Sequence, residues 1–445
     1  MKLVVLGAAE SGIGAAILAR KQGYEVFVSD NGSIREQFKA TLEARDLPYE
    51  EGGHTESRLA EADVIVKSPG IPDTAPAIQA LRSKGTPILS EIEFAGRYLG
   101  ASRTICITGS NGKTTTTSLI YHILQKAGFD VGLAGNIGHS LALQVAETPH
   151  EWYVVELSSF QLDNMYDFRA DIAVLLNITP DHLDRYDFCM QNYVESKMRI
   201  LRNQRPEDFF IYWRDDEYIP TELRKVRPAS RCLGFSDTCE EGSSGYADAG
   251  TFRLAAPADF SMPLSDLSLP GRHNLRNCLA AASAALAAGV PAEVVCAGLQ
   301  DFPGVEHRLE RVAEVGGVLY INDSKATNVD ACRCALDSMT RPTILILGGK
   351  DKGNDYAAIQ PLVREKCKAL VFLGADNAKL HACFGETGLP IADTHSMAAC
   401  VAACRQFATA GDVVLLSPCC ASFDLFRNME DRGEQFKDCV LHGDD

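Results

Sequence analysis

The chain has 445 residues, enough for roughly three domains at about 150 residues each. A composition of 46% hydrophobic and 23% charged residues excludes a disordered or fibrous chain and fits a packed, enzyme-sized globular protein. With 43 basic against 59 acidic residues the formal charge is −16, which argues against nucleic acid or an anionic lipid surface as a general partner but leaves room for a local cationic pocket.

In chain order, residues 2–6 read as a short strand ended by Gly7, and Gly12 and Gly14 lead into a helix to about Gln22. The apolar start superficially resembles a signal peptide, but Glu10 and the glycines interrupt it, and no stretch reaches 18 apolar residues. A soluble, cytoplasmic protein without membrane insertion is the expectation. Val26–Ser29, Val64–Val66 and Pro87–Leu89 are further strands, and strands alternating with helices imply a parallel sheet with right-handed crossovers. A second such series opens with the strand Thr104–Ile107 and continues through Tyr153–Val155 and Ile172–Leu176. Residues 236–260, rich in Gly, Ser, Asp and Ala, read as a surface excursion, and Ala280–Ala288 as an Ala-rich helix. A third series starts near Pro303, with strands at Leu319–Ile321, Thr343–Leu347, Leu370–Leu373 and Val413–Leu416. The 15 cysteines show no paired C-x-x-C spacing, so they read as reduced, small buried hydrophobes rather than as a disulfide framework or a metal site.

Clusters in each of the three series carry the chemistry. In Gly7-Ala8-Ala9-Glu10-Ser11-Gly12-Ile13-Gly14, Ala9 stands where a dinucleotide fingerprint wants glycine. That leaves a ligand-free turn, a nicotinamide dinucleotide or another diphosphate nucleotide as alternatives, with Asp30 placed at a strand end to meet a ribose or base. Thr108-Gly109-Ser110-Asn111-Gly112-Lys113-Thr114 follows an apolar strand and opens a helix, two residues shorter than G-x-x-x-x-G-K-[ST]. Backbone amides there can cradle phosphate, Lys113 can reach the terminal phosphates and Thr114 can ligate Mg²⁺. Past the next strands come Glu156, able to hold Mg²⁺, and the polar run Asn177–Asp184 containing His182. The third series holds His307-Arg308, and then Asn322–Asn328 and Gly348–Gly353 past strand ends, whose lysines are either cations for phosphates or carboxylates or solvated loop residues.

Together these residues resemble the Mur ligase family of ATP-dependent amide-forming enzymes, over essentially the whole chain and in the family's motif order. Thr108–Thr115 is similar to the T-G-[ST]-N-G-K-[ST]-T loop, which accounts for the short spacing; Leu157–Leu162, Asn177–Tyr186, Leu269–Asn274 and Asn322–Asn328 also match. Ser68-Pro69-Gly70-Ile71, Thr179–Tyr186 and Ser417–Asp424 with Glu430–Gly433 are closest to the branch that adds D-glutamate, and no D-N-P-R sequence of the diaminopimelate-adding branch is present.

The resemblance implies an α/β chain of three domains: a Rossmann-like UDP-binding domain (residues 1–98), a central P-loop-type ATPase domain with a mainly parallel sheet (99–303) and a Rossmann-like C-terminal domain for amino acid and nucleotide (304–445). It implies that a carboxylate of UDP-N-acetylmuramoyl-L-alanine attacks ATP to give an acyl phosphate, which the amine of D-glutamate then converts to an amide. By match, Lys113, Glu156, His182 and Lys197 are catalytic. Gly109, Asn111, Gly112, Lys113, Thr114, Thr115, Asn277, Arg308, Asp323 and Lys325 bind ATP. Thr114, Glu156, His182 and Lys197 hold two Mg²⁺, with Lys197 carbamylated. Ser11, Asp30, Ser68, Gly70 and Asn136 contact the UDP-muramoyl substrate, while Thr327, Lys352 and Ser422 contact D-glutamate. Met429, where the family often has Phe, and the extra cation Lys350 depart from the pattern. No nucleic-acid partner and a monomeric enzyme are expected. The rivals are a non-catalytic sensor of UDP-sugars, which would not need all four catalytic residues, and a folylpolyglutamate synthase-like ligase, which would not need the first domain.

Overall fold

The computed structural model describes residues 1–443 apart from 240, 270 and 352. Among these residues the strands form three sheets. The first contains β1 (Lys2–Leu6), β2 (Glu25–Ser29), β3 (Tyr49–Glu50), β4 (Val64–Lys67) and β5 (Ile88–Leu89) in the order β3-β2-β1-β4-β5, every pairing parallel. The order reverses between β1 and β4, so the turns after those strands flank one crevice at the carboxyl edge, where open α/β sheets take ligands.

The second sheet contains β6 (Arg103–Thr108), β7 (Val131–Gly135), β8 (Trp152–Glu156), β9 (Ile172–Leu175), β10 (Phe209–Trp213), β11 (Arg231–Phe235), β12 (Gly245–Asp248), β13 (Thr251–Leu254) and β14 (Phe260–Pro263). Its order is β14-β13-β12-β11-β10-β9-β6-β8-β7, parallel except for the last two hairpin pairings, β12 with β13 and β13 with β14. With β8 and β9 on either side of β6, the turns after all three strands come together. The third sheet contains β15 (Glu310–Val315), β16 (Val318–Asn322), β17 (Thr343–Gly348), β18 (Cys367–Leu373), β19 (Ile391–Thr394) and β20 (Val413–Cys419) in the order β15-β16-β20-β17-β18-β19, with only β15 antiparallel. The central strands are continuous apolar runs because helices cover both faces; β8, β17 and β20 are buried along their whole length. Helices begin where a small polar side chain can cap them: Ser90, Ser140, Ser158, Asn328, Ser396 and Asn428 each accept the amide three residues on.

The segment 236–260 departs from expectation. It stays at the periphery but is regular structure, adding β12–β14 to the edge of the central sheet, with Phe252, Leu254, Phe260 and Met262 buried. Its Gly, Ser and Asp residues supply the turns, while alternate apolar positions in β13 and β14 turn one face inward, and the Phe252 and Phe260 rings meet edge-on at 5.9 Å. The Ala-rich helix starts earlier than expected and spans Arg272–Ala287. No cysteine is in a disulfide; eight are buried as expected, but Cys189, Cys232 and Cys239 are exposed.

The chain divides into two compact units, Met1–Leu267 with Arg276–Phe302, and Ser268–Leu275 with Pro303–Asp445. The first unit holds the first two sheets, joined through two buried carboxylates. Glu91 accepts from Ser140 Oγ (2.7 Å) and from the Ala142 amide (2.6 Å), leaving Oε2 without a partner among the described residues. Glu93 accepts from the amides of Tyr166 (2.9 Å), Asp167 (3.2 Å) and Phe168 (3.0 Å). The helices Glu10–Lys21 and Leu141–Glu147 pack so closely that a Cβ on Gly14 would sit 2.0 Å from Ser140 Oγ.

Burial pushes the Glu91 carboxyl up to about 7, from an ordinary value of 4.5. The native state therefore retains a proton that the unfolded chain releases, and this group's contribution to stability is complete below the unfolded value and lost as pH rises through about 7. A tenfold difference in acidity corresponds to about 1.4 kcal/mol, so the full loss is about 3 kcal/mol. Glu91→Gln keeps an uncharged group at all pH values. Urea denaturation at pH 5 and pH 8 should show the variant gaining about 2–3 kcal/mol relative to the parent between the two conditions. An unchanged difference would mean that Glu91 does not titrate in this window.

Candidate active site

Between β6 and the helix Lys113–Lys126 the chain turns through Gly109–Gly112, and Gly112 caps the helix in the left-handed conformation at φ 87°. The exit of β9 braces this turn. The Ser110 amide donates to the Asn177 carbonyl (2.9 Å), the Asn111 amide donates to Asn177 Oδ1 (2.9 Å), and Asn177 Nδ2 donates back to the Asn111 carbonyl (3.0 Å). Ser110 Oγ donates to the Thr179 carbonyl (2.9 Å) and accepts from its amide (2.9 Å). Lys113 Nζ folds back onto the carbonyls of Gly109 (2.8 Å) and Ser110 (2.9 Å), and Thr114 and Thr115 are buried in the first helical turn. Helix amides with an adjacent ammonium constitute an anion site suited to phosphate.

Beneath the turn, Glu156 closes β8 with 1% of its surface exposed. Its Oε1 accepts from Asn136 Nδ2 (2.8 Å), while Oε2 has no hydrogen-bond partner among the described residues. An uncommitted buried carboxylate oxygen fits a hard cation such as Mg²⁺. Lys197, from the helix Met190–Met198, is equally buried and donates to the Gly109 carbonyl at 2.9 Å, with Nζ 4.7 Å from the Tyr193 ring centre. Burial holds its amine well below the usual lysine range; the Lys113 charge lowers it further, against Asp181, Asp163 and Glu156. His182 sits at φ 52°, exposed, with Nε2 3.6 Å from Asp181 Oδ2 and its ring edge-on to Phe160 at 5.2 Å. Asn277 lies against the same turn, its Oδ1 2.4 Å from where a Gly112 Cβ would be.

In the first sheet, Asp30 ties the end of β2 to the turn after β1, accepting from the Ala8 amide (2.7 Å) and the Gly32 amide (2.8 Å). Ser68 Oγ lies 3.5 Å from the Gly7 carbonyl across the crevice, Gly70 is exposed, and Ser11 is half-buried in the first turn of its helix. These residues and the phosphate turn belong to one unit.

The second unit gathers the remaining candidates at the carboxyl ends of β16, β17 and β20. Asp323 accepts from Ser417 Oγ (2.8 Å) and from the Leu309 amide (3.3 Å); burial pushes its carboxyl up to about 7, against the Ser417 hydrogen bond and the Arg308 charge. Lys325 and Thr327 are half-buried in the loop after β16, and Ser422 is buried in the loop after β20. The Lys350 amide donates to the Ala421 carbonyl at 2.8 Å, joining the loops after β17 and β20; Lys352 lies outside the described residues. Ser324 Oγ donates to the Met429 carbonyl at 2.8 Å. Among the described residues the one group of three His, Cys, Asp or Glu with mutually close ligand atoms is Glu306, His307 and Glu310, whose two carboxylates pair with Lys437. Glu156 and His182 are not part of such a preformed triad.

The sequence by itself assigns no role to Asn177, Tyr193, Asp163 or Arg432. Asn177 brackets the phosphate turn, and Tyr193 OH lies 3.0 Å from Ser110 Oγ. Arg432, 1% exposed, donates to Ser324 Oγ (2.9 Å), the Ser324 carbonyl (2.8 Å) and the Cys420 carbonyl (3.1 Å), fastening two of the third sheet's loops together. Asn177 and Arg432 fall inside two of the matching motifs, and that position is the available signal; Tyr193 and Asp163 carry none.

Family models match three stretches: a MurD N-terminal domain over residues 2–76, a Mur ligase middle domain over 107–285, and a Mur ligase glutamate ligase domain over 307–420. The chain belongs to the Mur ligase family. It is 59% identical over 440 residues, 99% of each chain, to the UDP-N-acetylmuramoylalanine–D-glutamate ligase of Bacteroides fragilis. Identity is 57% over 440 residues to the ligase of that name in Bacteroides thetaiotaomicron (99% of each chain) and 55% over 445 in Porphyromonas gingivalis (99% of this chain, 98% of the relative). The fold is shared with the UDP-N-acetylmuramate–alanine ligase of Thermotoga maritima (TM-score 0.62, 18% identity, 100% of both chains) and with MurF ligase from the same organism in complex with ADP (TM-score 0.59, 18% identity, 92% of this chain and 93% of that one).

The left-handed backbone at Gly112 and its contact with Asn277 generate a prediction. Gly112→Ala combines strain of about 1–3 kcal/mol with a collision that displaces either the turn or Asn277. ATP affinity measured by calorimetry should fall at least tenfold while the melting temperature changes by only a few degrees. Unchanged affinity would show that the turn does not hold the nucleotide.

Proposed function

We propose that this chain joins D-glutamate to UDP-N-acetylmuramoyl-L-alanine at the expense of ATP, in cytoplasmic peptidoglycan precursor synthesis. Support comes from full-length identity of 55–59% to relatives bearing that activity's name. The observation that carries the chemistry is the set built around one turn: the Lys113 ammonium, the open carboxylate oxygen of Glu156, and the buried Lys197 amine. The three-domain division at residues 98 and 303 and a monomeric state are part of this proposal.

A carboxylate is a poor acyl donor until it is phosphorylated. The acceptor carboxylate attacks the terminal phosphorus of ATP, ADP leaves, and an acyl phosphate forms. The D-glutamate amine then adds to the acyl carbon, and the tetrahedral intermediate expels phosphate as the amine proton is lost. Lys113 and the turn amides would neutralise charge gathering on the transferring phosphoryl group. Thr114, Glu156, His182 and a carbamylated Lys197 would hold two Mg²⁺, which supply further charge neutralisation. Carbon dioxide adds only to a neutral amine, giving a carbamate and a proton, and the depressed basicity of Lys197 favours that form. Ser11, Asp30, Ser68, Gly70 and Asn136 would bind the UDP-muramoyl substrate. Asn277, Arg308, Asp323 and Lys325 would bind nucleotide, and Thr327, Lys352 and Ser422 the two carboxylates of D-glutamate.

Phosphate release with UDP-N-acetylmuramoyl-L-alanine, ATP and each amino acid in turn tests the reading. D-glutamate should be the preferred acceptor, with D-alanine and L-glutamate poor; comparable rates for either would remove the assigned specificity, and no release with any would remove the ligase. Lys113→Ala should lower turnover by about 10²–10³-fold in a folded protein. Lys197→Ala should be inactive and partly rescued by acetate or formate, whereas full activity of the unrescued variant would exclude a carbamate.

A further inference from the structure

Loop 68–71, which leaves the first sheet, is held from two sides by cations. Lys67, buried at the end of β4, donates to the Ile71 carbonyl at 2.7 Å and pairs with Asp73 at 3.3 Å. From the other side Arg185 spreads its guanidinium over three consecutive carbonyls, with Nη2 3.4 Å from those of Pro69 and Ile71 and Nη1 3.5 Å from that of Gly70. The guanidinium lies 4.3 Å from the centre of the Phe160 ring, and the same ring receives His182 edge-on at 5.2 Å and Tyr186 stacked at 6.2 Å.

Arg185 is separated from His182 by a single helical turn, its amide donating to the His182 carbonyl at 3.0 Å. The turn is rigid at its far end too: Tyr186 OH donates to Asp163 (2.9 Å) and lies 3.2 Å from Ser196 Oγ, and Ser196 precedes Lys197. His182, Asp187 and Phe188 all have positive φ, so the segment holds a strained conformation that surrounding contacts must enforce. A planar fork can span three carbonyls and stack on a ring at once; a lysine ammonium cannot.

We infer that Arg185 is a positioning residue that fixes the 68–71 loop of the first sheet to the His182 turn, so that the UDP-muramoyl substrate held by that loop is aligned with the phosphoryl-transfer centre. The inference rests on the function proposed above. Arg185 itself touches backbone and ring, and acts through the loop it holds.

The test compares Arg185→Ala and Arg185→Lys with the parent in phosphate release, varying each substrate separately. The KM for UDP-N-acetylmuramoyl-L-alanine should rise about tenfold in the alanine variant and several-fold in the lysine variant, with the KM for ATP within twofold of the parent. Hydrogen exchange of peptides covering residues 68–73 should quicken while peptides from β1 and β2 stay unchanged. Equal KM values for all substrates, or a parallel rise for ATP and acceptor with global loosening of exchange, would overturn the positioning role. If the alanine variant does not fold, the same comparison on Phe160→Leu, which removes the ring beneath the guanidinium, decides the matter. Absence of ligation by the parent enzyme would instead refute the proposed function and leave the exchange result to judge the clamp.

Discussion

An amine buried beneath a glycine turn sets the conditions for everything around it. Lys197 donates to the Gly109 carbonyl from below while Lys113 donates to the same carbonyl from its own helix, so one peptide oxygen orients two amino groups. Burial out of water, and after it the charge of Lys113, drives the Lys197 amine toward its neutral form. The charges of Asp181, Asp163 and Glu156 oppose part of this shift. Asn177 and Thr179 add hydrogen bonds to the turn that do not depend on charge.

Buried polar side chains brace the second unit as well. Arg432 is buried among carbonyls and a hydroxyl rather than opposite a single carboxylate, and desolvation lowers its basicity to about 10. Asp323 is kept near neutrality by burial while still accepting from Ser417. Arg432 joins the loops after β16 and β20, which carry Lys325, Thr327 and Ser422, and Asp323 ties the first of these loops to Ser417 in β20. Loops that carry binding groups need such fixed supports, because a displacement of an ångström at a reacting centre costs orders of magnitude in rate.

Much of this is readable from the chain because it is local. Continuous apolar runs locate the central strands, and the residues after them locate the loops, since ligand chemistry in open sheets gathers at strand carboxyl ends. Gly109–Thr114 stands out because a strand–glycine turn–helix junction carrying Lys and Thr is a local pattern, even though its spacing is shorter than the general phosphate-loop motif. What cannot be read depends on contacts distant in sequence. The Asn111–Asn177 bracket spans 66 residues and the Lys197–Gly109 bond 88. The 236–260 segment misleads because its turn-rich composition hides a two-residue alternation short enough to pass for chance, and only the sheet edge it joins makes that alternation meaningful.

The close seat of Gly14 on Ser140 bears on modularity. Glycines after the first strand of such a sheet are ordinarily explained by what binds there, yet this one faces a helix of the neighbouring sheet. The helix Glu10–Lys21 is buried from Gly12 to Ala19 because it serves two layers at once, its own sheet on one side and Leu141–Glu147 on the other. The first sheet is thus shaped to its neighbour rather than self-contained. Transplanted onto another enzyme it would bring an apolar, glycine-notched flank with nothing complementary to cover it, so exchange of nucleotide-binding halves between distant relatives must carry both surfaces of this seam together.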